Sequence, residues 1–149
     1  MDNNSIIFKS KFGYILAKEH NNKIYTIKFT HKRKNNSSKI LINLKKQIMK
    51  FFEKKTKRII APYNIEGNAI QKNVWNEISK IKYGKTKTYG EIAKKFKLSP
   101  RHVGKICGQN KLLLMIPCHR VVCSNGSMGG YSGKGGIKLK KKLLEFERS

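Results

Sequence analysis

The pattern of apolar and polar positions predicts a strand-rich N-terminal third that ends in a helix. Short β-rich runs cover residues 5–10, 14–18 and 23–30. In the last run apolar side chains recur at every second residue, which is typical of a strand with one buried face. From Ser38 to Phe52, apolar residues recur at helical spacing with lysines between them, which predicts an amphipathic helix.

The second half of the chain is predicted to be mostly helical. Residues 54–68 carry Pro62 and Gly67 and are typical of a linker, so we predict two domains, residues 1–65 and 66–149. An apolar stripe at i, i+4, i+8 and i+11 then predicts a helix that ends at Gly84. Its members are Ile70, Val74, Ile78 and Ile81. The expected fold class is α+β: a small strand-rich domain followed by a mostly helical one.

Two short helices joined by a tight turn are predicted between residues 88 and 108. Thr88 is followed at the third position by Glu91, which is a capping box. Ser99 and Pro100 are a favoured N-cap and first residue for the second helix. The pair is typical of a helix-turn-helix, here winged-helix-like, although a plain helical hairpin has the same pattern.

The exposed face of the second predicted helix suits contact with DNA. It carries Arg101, Gly104, Lys105 and Gly108. Small residues let a sugar-phosphate backbone approach closely, and the cations can meet phosphates. Thr88, at the start of the preceding helix, is expected to lie at the same surface. The sequence therefore predicts a DNA-binding face here.

Charge supports a polyanionic partner but does not identify it. The 149 residues include 34 Lys+Arg and 8 Asp+Glu, for a formal charge of +26. Lys, Asn and Ile are all abundant, a mixture that AT-rich codons specify, so lysine runs such as 140–142 are also expected on solvated helix faces. No apolar stretch is long enough to span a membrane, and no basic segment precedes an apolar one at the N-terminus. A cytoplasmic protein without membrane contact is expected.

Cys118 and His119 are the best candidates for a reactive pair. A thiol is an effective nucleophile once ionised, and an imidazole can take its proton. Neighbouring side chains in an extended strand rarely face one another, so contact needs a turn or a bridging water. The alternatives are that Cys118 is a small buried residue, or that it binds zinc with Cys107, His119 and Cys123. Those gaps do not match structural zinc sites, and free thiols are expected in place of disulfides.

Residues 116–122, Ile-Pro-Cys-His-Arg-Val-Val, resemble the active-site signature of the O6-alkylguanine-DNA alkyltransferases. Further segments occur in the family's order, with a turn before Arg101 that is about two residues short. They are Gln71–Trp75, Thr88–Ala93, Val103-Gly104, Asn110 and Gly130–Gly133. The resemblance in motifs covers residues 70–147, and the N-terminal strands and helix resemble the family's less distinctive first domain.

The resemblance implies an irreversible, single-turnover reaction without a cofactor or a metal. Cys118 would be the nucleophile that takes the alkyl group from guanine O6 and keeps it. His119 would act as the base through a water, and Glu145 would orient His119. Tyr89 would donate a proton towards the leaving guanine. The chain lacks the Cys and His ligands that give some members a zinc site.

The resemblance also implies that the partner is double-stranded DNA containing O6-alkylguanine, approached by a monomer from the minor groove. Arg101 would fill the gap left by the flipped base. The pocket would be lined by Val121, Tyr131, Ser132 and Cys107. Asn110 would brace the turn around the site. The range of adduct sizes and activity on O4-alkylthymine stay open, as do the effects of His102 and of Lys134, which stands where the family often has Gly.

Two other functions compete with alkyl transfer. A protein that binds damaged DNA without transferring the group would keep the DNA-facing helices while its Cys118 stays unmodified. The hypothesis of a basic RNA-binding protein would rest on charge alone.

Overall fold

The N-terminal part of the protein is an antiparallel sheet. The structure, a computed structural model, describes residues 4–30, 38–129 and 136–149. Strands β1 (Asn4–Ser10), β2 (Gly13–His20) and β3 (Lys23–Thr30) pair in that order. Asn21 and Asn22 connect β2 to β3 with φ values of 49° and 61°, a left-handed conformation that Asn tolerates well.

Helix α1 (Lys39–Phe52) packs on all three strands and closes the first core. Its buried residues are Leu41, Leu44, Ile48 and Phe51, at the helical spacing seen in the sequence. They meet the apolar face of the sheet, where Ile15 and Ala17 are fully buried. Burying such side chains supplies the main favourable free energy of this unit.

Two segments outside the three strands add backbone hydrogen bonds to β3. Ile24 N–H donates to the Pro62 carbonyl at 2.8 Å. Ile27 N–H donates to the Lys111 carbonyl at 2.9 Å, and Leu113 N–H donates back to Ile27 at 3.2 Å. Residues 111–115, which the sequence placed in the second domain, therefore belong with the first sheet.

The described chain forms two compact units. One consists of the described residues up to Ile65 together with Lys111–Met115, and the other of those within Glu66–Asn110 and Ile116–Ser149. Within the ranges described, no helix is long and apolar enough to cross a membrane. The α+β class expected from the sequence is confirmed.

The second unit is mostly helical, and most of its helix starts carry side-chain caps. Its elements are α2 (Ala69–Ser79), β4 (Lys87–Thr88), α3 (Tyr89–Phe96), α4 (Pro100–Gly108), a 3₁₀ turn (Cys118–Arg120), β5 (Val121–Val122) and α5 (Gly136–Arg148). Thr88 and Glu91 form the predicted capping box, and Ser99 caps α4 as expected. A second capping box, Asn68 with Gln71, starts α2 and was not predicted. Helices α3 and α4 pack together across the short turn 97–99.

Candidate active site

Cys118 is held in a tight turn and not in an extended strand. Pro117 precedes a 3₁₀ turn over residues 118–120, in which Arg120 N–H donates to the Pro117 carbonyl at 2.9 Å. The chain then enters β5, which pairs in parallel with β4, so that Val121 lies beside Lys87 and Val122 beside Thr88. This pairing brings the Cys118 turn next to the start of α3, where Tyr89 stands.

The Cys118 thiol is buried among polar groups. Only 2% of the residue is exposed, and Asn110 Nδ2 donates to its Sγ at 3.2 Å and to the Ile116 carbonyl at 2.9 Å. A hydrogen bond with the Cys107 thiol and then burial raise the pKa of Cys118, against the opposing effects of Asn110 and the Lys140 cation. The resting thiol is therefore protonated, and its use as a nucleophile requires a base.

His119 has the properties of that base. Its side chain is fully buried, and Nε2 donates a hydrogen bond to Glu147 Oε2. Across the described ranges 4–30, 38–129 and 136–149, no group hydrogen-bonds to its Nδ1. Burial lowers the pKa of His119, although Glu147 acts in the opposite direction. The ring is therefore neutral, with its proton on Nε2 and a lone pair on Nδ1.

The buried Glu147 carboxylate holds His119 in place and accepts hydrogen bonds from several other donors as well. Arg120 donates to it from Nε at 2.9 Å and from Nη2 at 3.1 Å, and Gly84 N–H donates at 3.0 Å. Burial opposes ionisation, but His119 and Arg120 outweigh it and lower the pKa of Glu147 from 4.5 to about 2. Glu147 is therefore a permanent carboxylate at neutral pH.

The expectation that Glu145 orients His119 is wrong. Glu145 is exposed, whereas Glu147, two residues further along α5, is 5% exposed and bonded to His119. Two residues along a helix turn the side chain to the opposite face. The sequence contained the right signal, since Leu139, Leu143 and Glu147 continue one buried stripe at i, i+4 and i+8.

Lys140 is a buried site residue that the sequence interpretation assigned to a solvated face. It is fully buried on α5, and its Nζ donates to Tyr89 Oη at 2.9 Å. Burial lowers the pKa of Lys140. Burial, followed by the nearby side chains of Cys107, Cys118 and Cys123, raises the pKa of Tyr89. Lysine is rarely fully buried without a partner, so the contact with Tyr89 explains its position.

A groove of about 450 Å³ opens beside Tyr89 between the starts of α3 and α4 and the loop after β5. Arg101 and Gly104 line it from α4, and Cys123 lines it from the loop. Gly129 also lies against Tyr89: a Cβ there would lie 2.7 Å from the Tyr89 ring, so only glycine fits. At Gly104 a Cβ would lie at an ordinary 3.8 Å from the ring, so contact with Tyr89 does not require glycine there.

The remaining predicted site residues divide into three groups. Arg101 and Lys105 are exposed on α4, while Thr88 is half-buried at the start of α3. Val121 and Cys107 are buried in the second unit. Tyr131, Ser132 and Lys134 lie outside the described residues. Within the described part of the chain, no group of three or more His, Cys, Asp and Glu side chains is arranged to hold a metal ion.

Known proteins with similar sequences and structures include methylated-DNA–protein-cysteine methyltransferases and O6-methylguanine methyltransferases. Residues 69–149 match the family model of the 6-O-methylguanine DNA methyltransferase DNA-binding domain. A methylated-DNA–protein-cysteine methyltransferase of Metallosphaera sedula is 38% identical over 95% of this chain and 91% of its own length. The crystal structure of Mycobacterium tuberculosis OGT in complex with DNA matches 97% of this chain and 92% of that one, with 27% identity and a TM-score of 0.87.

A third relative is similar in both sequence and structure. An O6-methylguanine DNA methyltransferase structure from Methanococcus jannaschii matches with 32% identity and a TM-score of 0.71, over 96% of this chain and 93% of that one. The family match and the Metallosphaera relative each cover the Cys118 turn and the helices around it. This chain therefore belongs to the O6-methylguanine-DNA methyltransferase family.

Proposed function

We propose that this protein repairs O6-alkylguanine in double-stranded DNA by moving the alkyl group onto Cys118, once per molecule. The observation that carries the proposal is the arrangement around His119. Its Nε2 is fixed on the ionised Glu147, and its buried Nδ1, one residue from the nucleophile, has no hydrogen-bond partner in the described chain. That arrangement provides a base for a thiol that is protonated at rest.

In the proposed reaction His119 Nδ1 takes the Cys118 proton through one water. The thiolate attacks the alkyl carbon, a C–S bond forms, and the bond from that carbon to guanine O6 breaks. Glu147 stabilises the imidazolium that results, because its carboxylate is already ionised. The thioether is not reversed by any group in the described site, so the reaction is stoichiometric.

Departure of guanine needs a proton because the electron pair of the broken bond passes to the ring. Tyr89 supplies it in this proposal, since Tyr89 lines the groove. Lys140 donates a hydrogen bond to the Tyr89 oxygen at 2.9 Å. A cation at that distance stabilises the oxygen as its proton leaves.

DNA is the proposed partner, bound through α4 at the minor groove by a monomer. The Mycobacterium relative was solved in complex with DNA. In this chain Arg101 and Lys105 are exposed on α4, and Arg101 also lines the groove beside Tyr89. A base inside a duplex hides its O6, so it must be flipped into a pocket, and Arg101 is long enough to occupy the space it leaves.

The central test uses a duplex that contains a single O6-methylguanine. After incubation, tryptic peptides are weighed, and the peptide of residues 112–120 is expected to carry one methyl group on Cys118. Cys118→Ser, which keeps the size of the side chain, is the control and should gain none. If the protein bound the duplex tightly while Cys118 stayed unmodified, the proposal would be wrong, and the protein would recognise damage without transferring the alkyl group.

A second test separates base flipping from chemistry. Arg101→Ala is expected to slow repair of the duplex by about tenfold or more, the effect of losing a well-placed Arg contact. Reaction with free O6-benzylguanine, which needs no flipping, should change little. Lys105→Ala on the same helix is the matched control for loss of charge. Equal losses on both substrates would contradict the role of Arg101.

A further inference from the structure

Arg120 and His119 donate to the same carboxylate oxygen of Glu147. Arg120 directly follows His119 in the 3₁₀ turn and is 6% exposed. Its Nε donates to Glu147 Oε1 at 2.9 Å, and its Nη2 donates to Oε2 at 3.1 Å. His119 Nε2 donates to Oε2 as well. A guanidinium cation and a neutral imidazole therefore share one oxygen of a buried carboxylate.

The turn after α2 holds the guanidinium in this position. Arg120 Nη1 donates to the Ile81 carbonyl at 2.7 Å, and the Tyr83 ring centroid lies 5.7 Å from Arg120 Cζ. Burial raises the pKa of Tyr83, so its hydroxyl adds no charge here at neutral pH. Gly84 N–H donates to Glu147 Oε1 at 3.0 Å. Each of the three nitrogens of Arg120 thus has a protein acceptor, and the cation is fixed beside Glu147.

The carboxylate has two opposing effects on His119 as a base. It holds the proton of the ring on Nε2, which leaves the Nδ1 lone pair available. It also favours the imidazolium, in which Nδ1 already carries a proton and cannot accept one from Cys118. A base that is fixed by a carboxylate therefore needs a second influence that keeps it neutral until the reaction.

The charged groups that act on His119 come from its own turn and from α5. Burial lowers the pKa of His119, Glu147 raises it, and the Arg120 and Lys140 cations lower it. Lys140 Nζ donates to Tyr89 Oη at 2.9 Å. Arg120 is therefore the cation that is seen on the shared oxygen.

We propose that Arg120 is a positioning residue that keeps His119 neutral at rest, because its cation offsets the Glu147 charge at the oxygen that both side chains share. This inference rests on the proposed function, in which only a neutral His119 can take the Cys118 proton. A guanidinium suits the task, since it keeps its own proton in proteins and its planar edge matches a carboxylate. Arg120 acts through Glu147 and does not itself take part in the transfer of the alkyl group.

The competing interpretation is that Arg120 only anchors α5 in the fold. Both interpretations predict lower stability when Arg120 is replaced, because Glu147 then stays buried without its cation. They differ in the dependence of alkyl transfer on pH. Loss of an anchor lowers the rate by the same factor at every pH, whereas loss of the cation lets His119 take up its second proton at a higher pH. The rate then falls sooner as the pH is lowered.

The pH profile of transfer from free O6-benzylguanine to Cys118 distinguishes the two interpretations. The rate is measured from pH 5 to pH 8, and each variant is normalised to its own rate at pH 8. Arg120→Met removes the charge and keeps a long side chain. We expect its normalised rate at pH 6 to be about tenfold below that of the wild type, the effect of one charge close to the ring.

Two further variants serve as controls for the profile. Arg120→Lys keeps a cation and should restore most of the wild-type profile. Arg148→Met makes the change of Arg120→Met at an exposed position of α5, next to Glu147, and should match the wild type. A profile of wild-type shape for Arg120→Met, whatever its overall rate, would overturn the proposal.

The ¹⁵N chemical shifts of the His119 ring test the same point without a substrate. In the wild type the ring should carry one proton, on Nε2, at pH 7, and it should gain the second at a lower pH than in Arg120→Met. If Arg120→Met does not fold, the same change is made in Glu147→Gln, where no carboxylate is left buried without its cation. The ring should again gain its second proton at a higher pH than in Glu147→Gln alone.

The ring titration also separates this inference from the proposed function. A titration of His119 that is the same with and without the Arg120 cation would overturn the inference, as would a wild-type ring that carries both protons at pH 7. If the wild type transfers no alkyl group to Cys118 but the ring titration shifts as expected, the proposed function fails and the control of His119 protonation by Arg120 stands.

Discussion

Two glutamates of the second unit are equally buried but bonded in different ways. Glu77, on α2, is 6% exposed, and Glu147, on α5, is 5% exposed. The cations on Glu77 are the lysines 80, 87 and 95, whose side chains are 45–65% exposed. Glu147 is bonded instead to the neutral His119 ring and to the Arg120 cation, which are buried themselves. Both carboxyl groups have a lowered pKa.

We infer that the difference separates a structural carboxylate from one that serves the proposed reaction. Lys95 donates to both oxygens of Glu77 at 3.0 and 2.9 Å, which ties α3 to α2 while the ammonium stays in water. Glu147 instead holds a histidine whose other nitrogen has no partner in the described ranges. Burial of a carboxylate alone therefore does not identify a site. A buried carboxylate indicates a site when its hydrogen-bond partner is also buried and has a second acceptor atom that no group uses.

The largest predicted effect is removal of the Glu147 carboxylate. Glu147→Ala leaves Arg120 buried without its carboxylate, and we expect the free energy of unfolding in urea to fall by about 3–5 kcal/mol. Glu147→Gln keeps the shape and some hydrogen bonds, so it is the variant for activity. It should slow methyl transfer to Cys118 by about 100-fold, the usual contribution of an oriented base.

Glu145→Gln is the matched control for Glu147→Gln. It makes the same chemical change on the same helix at an exposed position, so stability and transfer should match the wild type. If Glu145→Gln slowed transfer as much as Glu147→Gln, the assignment of Glu147 as the group that orients His119 would be wrong.

Lowering the pH should remove the contribution of Glu147 to the free energy of unfolding over a defined pH range. Its pKa is about 2 in the folded protein and 4.5 ordinarily, so the unfolded chain binds the proton first as pH falls. The stabilisation is complete above about pH 5 and is lost on the way to pH 2, for a total of about 3 kcal/mol. His119, whose pKa is lowered by burial, shifts stability in the same direction below its ordinary 6.5.

The measurement is the difference in unfolding free energy between wild type and Glu147→Gln from pH 7 to pH 3. Glutamine does not titrate, so the difference should shrink below pH 5. A difference that stayed constant would show that ionisation of Glu147 does not contribute. The same difference measured for Glu77→Gln should also shrink as the pH falls. The pKa of Glu77 is lowered too, mainly by the hydrogen bond from Lys95.

The local elements could be predicted because each depends on neighbours in sequence. The capping residues Thr88 and Ser99, and the helix stripes, are determined by side chains within one turn of where they act. The Cys118–His119 pair was found from its residue types and the family motif. The predicted brace Asn110 is seen donating to Ile116 and Cys118.

What the sequence interpretation missed depends on contacts between distant segments. Lys140 belongs to a lysine run, and only its contact with Tyr89, 51 positions away, distinguishes it from its solvated neighbours. Residues 111–115 join the first sheet through hydrogen bonds to Ile27, which no local pattern reveals. The choice of Glu145 over Glu147 is different, since helical periodicity applied to the end of α5 would have given the correct residue.

The smallest predicted effect is the loss of stability when Glu77 is replaced. Its dependence on salt concentration tests the comparison with Glu147. Because the lysines around it are about half exposed, their attraction is screened by water and ions, and Glu77→Gln should cost only about 1 kcal/mol of unfolding free energy. Raising the salt concentration should shrink that cost, whereas the cost of Glu147→Gln should barely change because its partners are buried. Methyl transfer by Glu77→Gln should equal that of the wild type. Urea unfolding of the two variants at low and high salt checks both statements, and equal salt dependence would show that exposure of the partners does not distinguish the two carboxylates.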